Sequence, residues 1–79
     1  MKKFAFIGAG SLKFTSRCVR DLLLFPAFDA CEFALMDINR HNLDYMVKVV
    51  NKILHEMGRE DTCKVTATMD RAEALKGAD

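Results

Sequence analysis

Two short stretches of this 79-residue chain hold residues whose types and spacing suit chemistry. The first is Gly8-Ala9-Gly10-Ser11, which follows a short apolar run and precedes a helical pattern. The first glycine permits a tight turn. The second, lacking a Cβ, lets the backbone approach a bulky anion. The N-terminus of the following helix offers free N–H groups and a partial positive charge. Ser11 adds a hydroxyl or its own N–H. Together these groups suit the pyrophosphate of a dinucleotide. Lys13 stands where the dinucleotide fingerprint has its third glycine. That glycine serves helix–strand packing, so the cradle itself does not depend on it. Lys13 reads as a solvated cation rather than a phosphate ligand.

The second stretch centres on Asp37, at the end of another apolar run and 27 positions after Gly10. The usual spacing is about 20. A long first helix and a connection at residues 28–31 take up the difference. A carboxylate at that strand end accepts hydrogen bonds from both ribose hydroxyls of NAD and repels the additional phosphate of NADP. Arg40 points the other way, since a guanidinium can neutralise a phosphate. Its place in the first turn of a helix makes a solvated side chain the simpler reading. Asn39 suits the N-cap of that helix, which leaves Asp37 available to a ligand. The candidate cofactor-binding residues are Gly8, Ala9, Gly10, Ser11, Leu12, Asp37 and Asn39.

These residues need strands and helices to position them, and the apolar pattern supplies both. Residues 3–7 form a continuous apolar run after a lysine, which reads as a strand covered on both faces. From Leu12 the spacing turns helical, with Leu12, Val19, Leu22 and Leu23 on one stripe, and Pro26 stops it. Residues 33–36 form a second apolar strand. Leu43, Met46, Val47, Val50, Ile53, Leu54 and Met57 then mark an amphipathic helix, with Gly58 suited to its C′ position. Alternation at residues 64–68 gives a third, half-buried strand. Asp70-Arg71-Ala72-Glu73 has the form of a capping box that opens a short helix ending at Gly77.

A β-α-β-α-β-α order predicts an α/β fold with parallel strands and right-handed crossovers. The expected strand order is 3-2-1, the N-terminal half of a Rossmann-type doubly wound parallel sheet. Residues 1–79 would then be a partial nucleotide-binding domain, truncated before a fourth strand. The first strand would be left as an apolar open edge, and a chain this small is marginal alone.

Composition narrows the field. Twelve basic against eleven acidic residues give a net charge of +1, with no electrostatic footprint for nucleic acid or an anionic membrane. No apolar run is long enough to cross a bilayer or to serve as a signal-peptide core. Cys18, Cys31 and Cys63 are odd in number and widely spaced, which reads as buried thiols in a reducing cytoplasm. His41 and His55 lie 14 residues apart on one helix, about 21 Å, too far to share a metal. Met36, Met46, Met57 and the phenylalanines look like core filler. No catalytic constellation is present.

The sequence resembles a known family. Phe4-Ala5-Phe6-Ile7-Gly8-Ala9-Gly10-Ser11-Leu12-Lys13-Phe14-Thr15 is similar to the N-terminus of family 4 glycoside hydrolases. Arg20-Asp21-Leu22-Leu23, Ala34-Leu35-Met36-Asp37-Ile38 and Glu73-Ala74-Leu75-Lys76-Gly77-Ala78-Asp79 continue the likeness over essentially the whole chain. Gly-Ala-Gly-Ser followed by Leu-Lys-Phe-Thr resembles the α-glucosidase and α-galactosidase branch, and the absent third glycine is typical of the family. The resemblance implies NAD and a divalent metal, usually manganese. It implies cleavage of α-glycosides by transient oxidation at sugar C3, loss of the C2 proton, elimination at C1 and addition of water. The family's metal-binding Cys and His and its tyrosine base lie beyond residue 79. None of Cys18, Cys31, Cys63, His41, His55 or Tyr45 matches them, so no catalytic or metal-binding residue is assigned. The partners expected of the intact protein are NAD, an α-glycoside and further copies of itself, in the cytoplasm, with no nucleic acid and no membrane. Two other readings share the Gly8, Gly10 and Asp37 logic: a dehydrogenase of a hydroxy acid or sugar, and a non-catalytic nucleotide-binding module.

Overall fold

A computed structural model describes residues 2–8, 12–25 and 30–78, with Leu12 and Lys13 as backbone only. The elements run β1 (Lys2–Ile7), α1 (Leu12–Leu23), β2 (Cys31–Met36), α2 (Arg40–Glu56), β3 (Cys63–Thr68) and α3 (Arg71–Leu75). The three strands are parallel and neighbour one another as β1-β2-β3. That is the expected 3-2-1 order read from the other edge. The alternating α/β pattern and the parallel sheet therefore hold.

Each strand begins earlier than the apolar pattern suggests. Cys31 belongs to β2 and not to the connection before it. The ladder decides this, because Lys2, Cys31 and Cys63 stand in register and extend the pairing of Ile7, Met36 and Thr68 by five positions. A pattern of side-chain polarity cannot register backbone pairing that continues through Glu32 and Lys64.

The sheet has two unlike faces. Cys31, Phe33 and Leu35 of β2 join Val19 and Leu23 of α1 and Leu43, Met46, Val50, Ile53 and Leu54 of α2 in one core. Phe4 and Phe6 flank it, their ring centroids 6.0 and 6.2 Å from that of Phe33. Alternation along a strand puts the intervening residues on the other face. There Lys3, Glu32, Ala34, Thr66 and Thr68 line a small cleft with Glu73 and Ala74 of α3. Thr66 Oγ1 donates to Glu32 at 2.8 Å, and Lys3 Nζ donates to the carbonyls of Glu73 and Lys76.

Burial separates the strands. All of β2 is buried except Glu32. β1 is only partly buried along its length and leaves Ile7 44% exposed, so it is not covered on both faces. Its position explains this: β2 is its only strand neighbour among the described residues. β3 is buried at Cys63 and becomes exposed towards Ala67. On α1 the buried stripe runs through Thr15, Val19 and Leu23 at four-residue spacing. Thr15 lies on that stripe although its hydroxyl breaks the apolar signal.

The helix ends follow local rules. Asn39 caps α2 by accepting Asn42 N–H at 3.0 Å. Gly58, at φ +68°, closes its other end. Arg59 N–H donates to the Leu54 carbonyl and Gly58 N–H to the His55 carbonyl, the paired bonds of a Schellman motif. At α3, Asp70 accepts Ala72 N–H. The expected capping box is modified: Thr68 Oγ1 accepts Asp70 N–H and donates to Glu73, so the hydroxyl links the two arms. Among the described residues no helix is long and apolar enough to cross a membrane.

Candidate functional site

The sheet brings two of the candidate residues to one edge. Ile7 and Met36 are register partners, so Gly8 and Asp37 are the next residues at the carboxyl ends of adjacent strands. Gly8 N–H donates to the Met36 carbonyl at 2.9 Å, which carries the ladder one step beyond β1. Its φ is +77°, a conformation that side-chain-bearing residues rarely adopt. A Cβ built there meets nothing within 4 Å. Backbone conformation, not crowding, therefore makes glycine the suited residue. The open space beside Gly8 is what an approaching ligand group requires.

Asp37 is half-buried, and its Oδ1 accepts the Asn39 N–H at 2.9 Å. The carboxylate is thus committed to the turn that leads into α2. Asn39 caps α2 as expected, and Asp37 additionally holds the turn before it. The carboxamide oxygen of Asn39 is engaged by Asn42 N–H, so Asn39 serves the helix through its side chain.

Ala9, Gly10 and Ser11 lie outside the described residues, as does the side chain of Leu12. The backbone of α1 begins at Leu12, four residues after Gly8. The first turn of a helix and the last residue of β1 therefore flank residues 8–11.

Further along the same edge, Arg40, Leu43, Asp44, Ala67, Thr68 and Met69 line a small cleft between the start of α2 and the end of β3. Arg40 Nε lies 3.3 Å from Asp44 Oδ1, one helical turn on, and both side chains are mostly exposed. Ile38 is 81% exposed and Met69 45%. Sequence reasoning gave Ile38 and Met69 no role. An apolar residue just past a strand, followed by a helix cap, was the available signal.

At the opposite end of the sheet Cys31 and Cys63 meet, with Sγ atoms 3.2 Å apart. Wide sequence spacing concealed this contact, which parallel register produces. Burial, the Cys63 thiol hydrogen bond and its charge push the Cys31 thiol up to about 12, against a smaller opposing effect of Arg59. Among the described residues no three His, Cys, Asp or Glu side chains come together to hold a metal ion.

Comparison with known proteins agrees with this architecture. Residues 3–79 match the family 4 glycosyl hydrolases. An alpha-galactosidase of Rhizobium meliloti (strain 1021) is 42% identical over 76 residues, 96% of this chain and 15% of the relative. The chain thus spans about a seventh of that relative's length. With the match running through β1, α1, β2 and all that follows, the chain belongs to the family 4 glycosyl hydrolases.

Proposed function

We propose that this chain is the NAD-binding part of a cytoplasmic glycosidase that cleaves α-glycosides, with α-galactosides as the first class to test. The observation that carries the reading is the placing of Gly8, at positive φ, beside Asp37 at the carboxyl ends of neighbouring parallel strands. Ligands of open α/β sheets bind outside that end. The alpha-galactosidase relative supports the substrate class.

In this reading the glycine-rich turn, residues 8–11, and the first turn of α1 hold the pyrophosphate through backbone N–H groups. Asp37 accepts hydrogen bonds from the adenosine ribose, held in orientation by its bond to Asn39 N–H. The 2′-phosphate of NADP would meet this carboxylate, which disfavours it. When bound, NAD supplies a hydride acceptor for the sugar. Manganese would be held by residues outside this chain. Residues 1–79 form part of the nucleotide-binding domain, and a further strand adds along the open side of β1. The crossing of α3 over the second face supports that arrangement, since Lys3 of β1 holds its final carbonyls.

The test is titration of NAD and NADP into the intact protein carrying this chain, as wild type and Asp37→Ala. Loss of charge-assisted bonds should weaken NAD by about 1.5–3 kcal/mol, roughly 10- to 150-fold. Equal NAD affinity in both proteins would sink the assignment. Turnover of aryl α-galactosides should leave no net NADH. Stoichiometric NADH would instead identify a dehydrogenase.

A further inference from the structure

Cys31 and Cys63 open neighbouring parallel strands and are register partners. Both are buried on the sheet face that carries α1 and α2. Paired strands lie about 4.8 Å apart, within the 4.4–6.8 Å Cα separation that a disulfide spans. From their 3.2 Å contact the two sulfurs need to close by only about 1 Å to bond. We infer that Cys31 and Cys63 form a latent disulfide pair that closes across β2 and β3 when exchanged with an oxidised small-molecule disulfide such as oxidised glutathione.

The geometry orders the steps. Cys63 follows the exposed turn at residues 60–62, and Arg59 places a guanidinium nitrogen 3.8 Å from its Sγ. A thiolate is the attacking form in disulfide exchange. The Cys63 thiolate attacks one sulfur of the reagent, and half of the reagent leaves as a thiol carrying the proton lost from Cys63. Cys31 then attacks the Cys63 sulfur of the mixed disulfide. The second half leaves as a thiol with the proton of Cys31. Two thiols and one disulfide become one protein disulfide and two thiols, so electrons and hydrogens balance. Cys31 is fully buried and its thiol resists ionisation, so it enters only in the second step, where contact with Cys63 compensates for its small thiolate fraction. In a reducing cytoplasm both remain thiols, and oxidation closes them.

The bond would encircle α2, since it joins the strands before and after that helix. It lies six positions, about 20 Å along the strand, from the Gly8–Asp37 edge. Closure should therefore raise resistance to unfolding and leave nucleotide affinity unchanged.

The intact protein carrying this chain is exposed to excess oxidised glutathione, quenched in acid, alkylated in denaturant and mapped by mass spectrometry. The expected product joins the Cys31 and Cys63 peptides, two hydrogens lighter than their sum, and melts several degrees higher than the reduced protein. Cys31→Ser should accumulate a stable glutathione adduct on Cys63. Cys63→Ser should leave Cys31 unmodified. Untouched thiols, separate adducts on both residues, a bridge to Cys18, or equally fast closure in denaturant would each overturn the inference. The wild-type map decides even where a variant fails to fold.

Discussion

At the amino end of the sheet, Lys2, Cys31 and Cys63 stand in register, and the two cysteines are buried. At the carboxyl end Ile7, Met36 and Thr68 stand in register, and the residues just beyond include exposed Ile38 and Met69. Side chains close the amino end. Arg59 ties the α2–β3 turn to the last carbonyl of α1, donating to Leu23 at 3.0 Å. Backbone N–H groups close the carboxyl end, Gly8 donating to the Met36 carbonyl, Asn39 to the Asp37 carboxylate and Asn42 to the Asn39 carboxamide. Parallel strands with helical crossovers make this difference unavoidable. Both long helices start at the carboxyl end, so their free N–H groups gather there. One end of the sheet is finished by packing, and the other gathers the helix N-termini.

This contrast makes stability and the proposed nucleotide binding separable by mutation. The largest stability effect should come from Phe33→Ala. Phe33 is fully buried between the two long helices and the rings of Phe4 and Phe6. Losing it should cost about 3–5 kcal/mol in urea unfolding. A cost below 1 kcal/mol would show that the packed side of the sheet is not what holds the strands together. Next comes Gly8→Ala at the opposite end. The positive φ should cost about 1–2 kcal/mol, although a Cβ has room. Gly8→Asn should cost less, since asparagine tolerates that region better. Equal unfolding midpoints for wild type and Gly8→Ala would mean the turn relaxes freely.

How much of this was legible follows the same division. The order of elements, the two apolar strands and the α2 stripe were written in spacing that hydrophobic burial enforces. So were Gly58 and Asn39, because capping depends on residues adjacent in sequence. Gly8 and Asp37 were legible because each sits at a strand-to-helix junction. The Cys31–Cys63 contact was not, since register is a long-range property that neither cysteine's neighbours encode. The bond from Asp37 to Asn39 N–H was missed for a different reason. Two polar residues so close can each serve the turn, and composition does not divide the work between them.

Asn39→Ala sharpens that division. It removes the α2 cap and should cost about 1 kcal/mol in unfolding, with Asn39→Asp close to wild type. If Asn39 acts on nucleotide only through the turn, NAD affinity should fall much less than in Asp37→Ala. A fall as large as that of Asp37→Ala would make Asn39 a direct ligand.

The smallest effect is expected of Arg40→Ala. Arg40 stands in the first turn of α2, where the helix end carries partial positive charge and disfavours a cation. Its pairing with Asp44 is exposed, and the cation precedes the anion, the weaker orientation along a helix. Removing it should change stability by less than about 0.5 kcal/mol. Its effect on cofactor choice is the more telling measurement. If Asp37 sets the preference, NAD and NADP affinities of Arg40→Ala should each stay within about twofold of wild type, a change of about 0.4 kcal/mol. A selective tenfold loss of NADP would instead place the Arg40 guanidinium on the 2′-phosphate. The carboxyl edge would then discriminate through two opposed charges, Asp37 and Arg40, rather than one.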